Sequence, residues 1–268
     1  VSERMAEIAI EMGVKIQLCE PVTKVEMERK RVTKLKTDQS VYEADAFIIN
    51  ADFAHWMEKY IPDQKRRKWN NQNLAQKKYS CSTFMLYLGI DGQYQELPHH
   101  NIHISSDYER NLREIEEDHV LSVDPSFYVQ NPCITDPSLA PPGKSGLYIL
   151  VPVTHQHPNV DWKTEGKRFR DLTLNRLSQI GLTDLKERIV FEHQITPDDW
   201  KNDYAIYRGA TFNLAHNLGQ MLHRRPHNRF EELDGVYLVG GGTHPGSGLP
   251  VIYESSRITT KLLLKDLQ

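Results

Sequence analysis

The segment GVYLVGGGTHPGSGLPVIYESS, residues 235–256, combines a buried-type strand, five glycines within residues 240–248, and a helix that opens at Pro250. Glycines between a strand and a helix let the backbone approach a ligand closely, and the N–H groups that begin the helix are free and partly positive. Such a turn suits a phosphate, a ribityl chain or an electron-rich ring edge. A tight structural turn explains the glycines equally well, so the residues alone leave the ligand unnamed.

This glycine loop, residues 240–248, differs from two common phosphate-binding motifs. No Gly-Lys-Ser/Thr follows it, as a Walker loop requires, and it lacks GxGxxG with a downstream acidic residue. Pro250 suits the first helical turn, because the N–H that proline lacks would be unpaired there anyway. From about Pro250 the last helix is predicted to run to residue 267.

A second buried-type strand lies far from the glycine loop in sequence. Residues 46–52 read AFIINAD, and four consecutive apolar residues favour a strand that is covered on both faces of a parallel sheet. Residues 14–18 alternate as a short strand, and residues 22–37 predict an antiparallel meander. We expect the strands at residues 46–52 and 236–239 to share one lobe, although they lie at opposite ends of the chain.

The middle of the chain shows longer antiparallel patterns. Helices are predicted at residues 53–60, 63–72, 108–118 and 161–180, and strands at residues 80–90, 127–131, 147–153, 189–195 and 205–210. The fold class is therefore mixed α/β (α+β). Residues 1–52 and 225–268 are predicted to form one incomplete lobe, and residues 53–224 a second lobe that is inserted between its parts.

Composition excludes several classes of protein. The chain has 268 residues, a formal net charge of -3 and a pI of about 6.5, so no basic field predicts nucleic acid as a partner. The three cysteines lie far apart without metal-type spacing, and we expect no metal site. No apolar run approaches the roughly 20 residues that span a bilayer. Met5, Ile8 and Met12 predict a helix already under way at the first residue, which is typical of the C-terminal part of a longer protein.

Several segments resemble the phytoene desaturase family of flavoproteins, which is related in architecture to the amine oxidases. They are GGGTHPGSGLP at residues 240–250, RPHNR at 225–229, PSFYVQNP at 125–132, DPSLAPPGKSGLYILVPV at 136–153, ITPDDW at 195–200 and EADAFIINAD at 43–52. The glycine segment together with PSFYVQNP and DPSLAPPGKS is highly specific to that family, whereas ADAFIINAD alone is not. The resemblance covers nearly the whole chain.

The resemblance implies FAD as the cofactor and an amine-oxidase-like architecture. Residues 1–52 and 225–268 would belong to an FAD-binding Rossmann-like lobe whose dinucleotide-binding motif is absent here, and residues 53–224 to an antiparallel-sheet substrate lobe. The backbone of Val22 would meet the adenine, and no catalytic residue is identified. The other candidates for flavin contact are Gly241, Gly242, Leu249, Pro250 and Val251.

The implied reaction is desaturation of a carotenoid such as phytoene by hydride transfer to flavin. A long polyene needs an apolar tunnel, and the resemblance also implies a cytoplasmic protein with peripheral membrane contact. The predicted tunnel walls, which a plain core would explain equally well, are Phe84, Leu86, Leu88, Phe127, Tyr128 and Val129. Alternatives are a flavin-free, non-catalytic lobe, a related carotenoid isomerase or oxygenase, and an amine-oxidase-like enzyme.

Other polar clusters admit a plainer interpretation. His244 either faces the flavin or bonds to loop backbone, and His227 with Arg225 and Arg229 forms either an anion site or structural ion pairs. Asp198 and Asp199 are expected to cap a turn near Trp200 rather than to act as paired catalytic carboxylates.

Overall fold

The structure is a computed structural model that describes residues 1–268. Helices α1 to α8 are Ser2–Glu11, Phe53–Tyr60, Asn71–Gln76, Tyr108–Glu116, Trp162–Gln179, Leu185–Arg188, Pro197–Asn202 and Leu249–Asp266. Strands β1 to β10 are Lys24–Glu28, Arg31–Lys36, Val41–Glu43, Phe47–Ile49, Ser82–Asp91, His100–His103, Phe127–Gln130, Lys144–Val153, Ile189–Ile195 and Val236–Leu238. Two hydrophobic cores divide the molecule into a first and a second lobe.

The first lobe joins the two ends of the chain, as the sequence predicts. Strands β4 and β10 pair in parallel, with Ile48 opposite Tyr237. The meander β1-β2-β3 is antiparallel, and Val32 at its centre donates its N–H to the carbonyl of Asp234, just before β10. These hydrogen bonds place the glycine loop at the end of a sheet whose other strand comes from residues 47–49.

Two expectations for this lobe are wrong. Phe47 and Ile49 are buried, but Ile48 is 48% exposed, so β4 is covered on one face only. Strand β10 is the only strand that pairs with β4, and no element of the chain packs on the face of β4 that carries Ile48. Residues 14–18 form no strand, because no strand of the chain lies beside them to complete a hydrogen-bonded ladder.

The second lobe is a five-stranded antiparallel sheet in the order β6-β7-β8-β5-β9. Helix α5 begins after Asp161, whose carboxylate accepts the N–H of Lys163, and it packs across one face of this sheet. Period-two alternation explains the strands: in β8 every second residue, from Ser145 to Val153, is buried. The strands predicted at residues 127–131 and 147–153 correspond to β7 and β8, which pair antiparallel with Val129 opposite Ile149.

Five of the six predicted tunnel-wall residues are core residues, so the tunnel prediction is wrong for them, whereas Tyr128 is half-buried on the opposite face of the sheet. Phe84 and Leu86 are fully buried, and Phe127 is 2% exposed. The ring of Phe84 stacks on Trp162 with 5.6 Å between centroids, and Phe169 meets it edge-on at 5.1 Å. Helix α5 supplies both partners, which closes this face of the sheet.

Three further boundaries differ from the predictions. Residues 63–72 form only a short 3-10 turn, Asp63–Lys65, before α3 begins. The strand predicted at residues 205–210 is wrong, because Ala205 and Arg208 have φ near +55° and the segment turns there. Buried side chains of residues 53–79 pack in the first core, although these residues were predicted to belong to the second lobe. The other predicted lobe boundary, at residue 224, stays a prediction.

None of the helices has the length and apolarity needed to cross a membrane.

Candidate functional site

The glycine loop is held against protein at its start. A Cβ on Gly240, where φ is +97°, would lie 2.8 Å from Oδ1 of Asn50, which follows β4. A Cβ on Gly242 would lie 2.8 Å from Oδ1 of Asn213 and 3.1 Å from Cβ of Phe53. Glycine is therefore required here for close packing against the protein's own side chains. The assignment of Gly241 and Gly242 to flavin contact remains a prediction, and it concerns their backbone.

The loop opens at its far end, where α8 begins. Gly248 is the N-cap and no side chain caps the helix. The N–H groups of Leu249 and Val251 donate no hydrogen bond within the chain, and Pro250 has none to donate. Leu249 is 64% exposed, and nothing lies within 4 Å of a Cβ added to Gly248. Three of the predicted contact residues thus form a free, partly positive helix end beside open space, which suits an electron-rich ring edge.

Arg225 supports the loop from behind. Its side chain is fully buried, and the guanidinium donates to the carbonyls of Gly241 at 2.8 Å, Leu214 at 3.2 Å and Thr243 at 3.3 Å. No carboxylate forms an ion pair with it. Burial lowers the pKa of Arg225 to about 10, so the side chain stays protonated at neutral pH. Of the two expected roles for Arg225, neither an anion site nor an ion pair is found, because its donors are consumed by loop carbonyls.

The loop is also tied to α8 by a buried polar cluster. Asn228 Nδ2 lies 2.9 Å from the carbonyl of His244 and 3.1 Å from the hydroxyls of both Ser255 and Thr259. Thr259 in turn donates to the carbonyl of Leu238 at the end of β10. These bonds fix where the helix begins relative to the strand.

Val22 lies apart from the loop, in the connection before β1. Its carbonyl accepts the hydroxyl of Tyr60 at 2.7 Å, and its N–H makes no hydrogen bond within the chain. One backbone group is therefore free to meet a ligand. The assignment of Val22 to the adenine remains a prediction.

A cavity of about 1380 Å³ borders the glycine loop at Ser247. His216 lines it and contacts the loop, because its Nε2 lies 3.1 Å from the Ser247 hydroxyl and 3.3 Å from the Ser247 N–H. Burial lowers the pKa of His216, and the positive charge of Arg225 adds to that effect. Both effects favour the neutral form of His216.

Three more histidines line the same cavity and were missed by sequence reasoning. The ring of His119 stacks on His157 with 4.3 Å between centroids and lies 5.3 Å from His155. Nδ1 of His119 lies 2.7 Å from the Thr154 hydroxyl. Burial lowers the pKa of both His119 and His155, and neighbouring positive charge adds to that effect. No sequence spacing signals this cluster, because residue 119 lies far from residues 155–157.

One buried carboxyl lies beside the loop. Asp52 caps α2 by accepting the N–H of His55 at 2.9 Å, and it immediately precedes Phe53, which packs against Gly242. Burial raises the pKa of Asp52 to about 6, against the opposing effect of its backbone hydrogen bonds. This group therefore changes charge close to neutral pH.

The other predicted polar groups are structural. Arg229 forms an ion pair with Asp266 at the end of α8, and Thr196 and Asp199 form a reciprocal capping box at the start of α7, which confirms the expected cap. Nδ1 of His244 lies 3.3 Å from the carbonyl of Leu222. No three histidine, cysteine or carboxylate side chains converge on a point that could hold a metal ion.

Comparison with known proteins identifies the family to which the sequence is similar. Residues 1–263 match the sequence profile described as "Flavin containing amine oxidoreductase". The chain is 46% identical over 265 residues to a 4,4'-diapophytoene desaturase (4,4'-diapolycopene-forming) of Methylomonas sp, covering 98% of this chain and 52% of that protein. It is 40% identical over 270 residues to an all-trans-zeta-carotene desaturase of Myxococcus xanthus, covering 99% and 51%. The chain thus spans about half the length of the curated relatives it matches.

Solved structures show the same fold at low identity. An oxidoreductase from Methanosarcina mazei aligns with a TM-score of 0.57 and 16% identity, over 97% of this chain and 53% of that one. A triple mutant of putrescine oxidase aligns with a TM-score of 0.59 and 13% identity, over 98% and 52%. The predicted amine-oxidase-like architecture is therefore confirmed.

Proposed function

Since the chain belongs to the flavin-containing amine oxidoreductase family, we propose that it works as part of an FAD-dependent carotenoid desaturase. The observation that carries this is the uncapped start of α8 at Leu249, which ends a glycine loop and is backed by a buried cation, Arg225. The proposed substrate class follows the two desaturases named above, which are 46% and 40% identical to the chain over the matched residues.

In this proposal the chain's own residues position the cofactor. The free N–H groups of Leu249 and Val251 would hold the electron-rich edge of the flavin ring, and the backbone of Val22 would meet the adenine. FAD supplies the acceptor for a hydride equivalent when it is bound. Partial positive charge at the helix start stabilises negative charge that develops on a bound group, because the N–H dipoles are already oriented.

Desaturation also requires a base for the proton that leaves the adjacent carbon. The neutral imidazoles of the cavity can accept a proton, and His216 lies closest to the loop because it contacts Ser247. Its Nε2 already accepts from the loop, so His119 and His155 are alternative acceptors within the same cavity.

We also propose that the protein is cytoplasmic and meets the membrane peripherally at the mouth of this cavity. Leu218 is 91% exposed and Leu222 is 60% exposed, and the segment that carries them also supplies the lining residues Asn217 and Gln220. Lys68, Lys77 and Lys78 lie on the same lining. Exposed leucines beside lysines suit an interface with anionic headgroups.

A charge placed at the helix start tests the flavin assignment. We expect Leu249→Asp in the full-length protein to weaken FAD binding by about tenfold, because a carboxylate would repel the electron-rich ring edge, while the negative charge favours the helix itself. Leu249→Asn is the matched control, since it has the same size without the charge. Equal FAD affinity in the two variants, measured by flavin fluorescence titration, would contradict the assignment.

The activity has its own test. The purified full-length protein should show flavin absorbance at near-stoichiometric occupancy and convert phytoene to products with longer conjugation, followed by their visible absorbance. Flavin without desaturation, but with isomerised or oxygenated products, would favour a related carotenoid isomerase or oxygenase. If the purified protein is folded but contains no flavin, a non-catalytic role would be favoured.

A further inference from the structure

Two short basic segments meet on the surface of the first lobe. Residues 29–31 read RKR around the turn between β1 and β2, and residues 65–68 read KRRK between α2 and α3. Nζ of Lys65 donates to the carbonyl of Arg29 at 3.2 Å, which joins the two segments. They line a surface pocket of about 780 Å³, and we define the basic face as its five cations, Arg29, Lys30, Lys65, Arg67 and Lys68.

Four of these five cations have no partner of opposite charge within the chain. They are exposed and form no ion pair, whereas Lys68 pairs with Glu231 at 3.1 Å. Like charges that share one pocket repel each other, so the arrangement costs energy unless an anion from outside neutralises it. The net charge of the chain is -3, so an excess of basic residues does not explain the cluster.

The two carboxylates beside the pocket hold the second segment in place. Oε1 of Glu232 accepts the backbone N–H groups of Arg67 at 3.0 Å and Lys68 at 2.6 Å. Glu231 accepts the indole N–H of Trp69 at 2.9 Å, and Trp69 is buried in the first core. The backbone of the segment is therefore fixed to the lobe, while the charged ends of its side chains remain in solvent.

Lys68 connects the basic face to the mouth of the cavity. It lines both the pocket and the cavity that borders the glycine loop. Its ammonium lies 4.6 Å from the ring centroid of Trp69, and the ammonium of Lys77, which also lines the cavity, lies 5.5 Å from the same ring. The cations therefore continue from the basic face to the cavity, where the exposed Leu218 and Leu222 are proposed to meet the membrane.

We propose that the basic face binds the headgroups of anionic lipids and thereby selects the membranes that the protein meets. This inference rests on the peripheral membrane contact proposed above, and it adds the class of lipid and the residues that recognise it. A bilayer is the occupant because all residues that line the pocket are polar or charged, the cations are long exposed side chains, and the face continues to leucines that suit the headgroup region.

The test compares two variants of the full-length, flavin-loaded protein, each with four positive charges removed. The face variant carries Arg29→Gln, Lys30→Gln, Lys65→Gln and Arg67→Gln. The control variant carries Lys163→Gln, Lys167→Gln, Lys186→Gln and Lys201→Gln, which lie on α5, α6 and α7, are exposed and form no ion pair. Because the net charge falls equally in both, a difference between them depends on position. Binding is measured by sedimentation with vesicles of phosphatidylcholine, with and without phosphatidylglycerol.

We expect the wild-type protein to bind vesicles that contain phosphatidylglycerol at least about tenfold more tightly than phosphatidylcholine alone, since each cation near an anionic leaflet strengthens binding about fivefold. The face variant should lose this preference, and the control variant should keep most of it. High salt should abolish the preference of the wild-type protein, because it screens exposed charges. Flavin content and the melting temperature of the face variant should match wild type.

Several results would overturn the proposal. A preference that the face variant retains, or that both variants lose equally, would show that these positions do not recognise the lipid. Binding of inorganic pyrophosphate that only the face variant loses, with unchanged binding to vesicles, would make the pocket a site for a soluble anion. A melting temperature of the face variant below that of the control would show that its cations pair with another part of the protein.

The proposed membrane contact fails in a different way. If the wild-type protein binds neither kind of vesicle, the contact itself is refuted and the lipid preference with it. If it binds both kinds equally well, the contact at Leu218 and Leu222 stands and the inference about the basic face is wrong. Neither result bears on desaturation, which is measured separately by the absorbance of the product.

Discussion

Removal of the Arg225 guanidinium should loosen the glycine loop and destabilise the first lobe. In Arg225→Met the carbonyls of Gly241, Leu214 and Thr243 would lose the only hydrogen bonds they accept within the chain. A buried polar group without a partner costs about 1–3 kcal/mol, so three of them would cost roughly 3–9 kcal/mol. Relief of the desolvation of the guanidinium offsets several kcal/mol of this. We expect a net loss of about 3 kcal/mol, which lowers the melting temperature of a domain of this size by roughly 6–12 °C.

The assay is thermal unfolding of the full-length protein, followed by tryptophan fluorescence, together with FAD titration. Arg229→Met is the control, because Arg229 is exposed and a solvent-exposed ion pair such as its pair with Asp266 contributes little to stability. Arg225→Lys should fall between wild type and Arg225→Met, since an ammonium can donate to the carbonyls but lacks the planar fork of guanidinium. A melting temperature for Arg225→Met within about 2 °C of the control would show that the loop does not depend on these bonds, and it would refute the expected loss of about 3 kcal/mol.

Three further outcomes are expected. Burial raises the pKa of Asp52 to about 6, so the stability contributed by its protonated carboxyl is full below about pH 4 and is lost as the pH rises through 6. The free energy of unfolding should fall by at most about 1.4 kcal/mol per pH unit over this range. Asp52→Asn keeps the cap and should remove this pH dependence when unfolding free energies are compared from about pH 4 to 7. Gly240→Ala should cost about 1–3 kcal/mol in urea unfolding, because φ is +97° and Asn50 blocks the Cβ, whereas Gly143→Ala, with a positive φ but open space, should cost less. Replacement of Leu218 and Leu222 by serine should reduce sedimentation with anionic vesicles and leave flavin content unchanged, and unaltered sedimentation would contradict the proposed membrane contact.

Local pattern was sufficient where one element determines its own structure. The helix at residues 53–60 was predicted with the bounds that α2 has, because Asp52 caps it and apolar residues follow at helical spacing. The strands at residues 47–49 and 236–238 were predicted to share one lobe, since each has too many apolar residues to lie outside a sheet, and the structure shows that they pair directly. At the candidate site the glycines and the helix start were visible in sequence for the same reason.

Where structure depends on distant partners, the sequence was less informative. Residues 14–18 alternate like a strand, but a strand also needs a neighbour. The alternation of β5 defined two faces without showing which of them α5 covers, so the tunnel was assigned to the core face. Arg225 and the stacked pair His119 and His157 depend on contacts between remote segments, and no local spacing marks them.

The parallel pairing of β4 with β10 also constrains how the protein can fold during synthesis. Phe47 pairs with Val236, so the partner of β4 is made 189 residues later (236 − 47). At translation rates of roughly 5–20 residues per second the ribosome needs about 10–40 s to supply it. The second lobe, which is complete by residue 195 in its strands, can form in that interval. Phe47, Ile49 and the helix behind them must wait with their apolar side chains uncovered, and they are therefore the segment of the nascent chain that most needs protection by a chaperone.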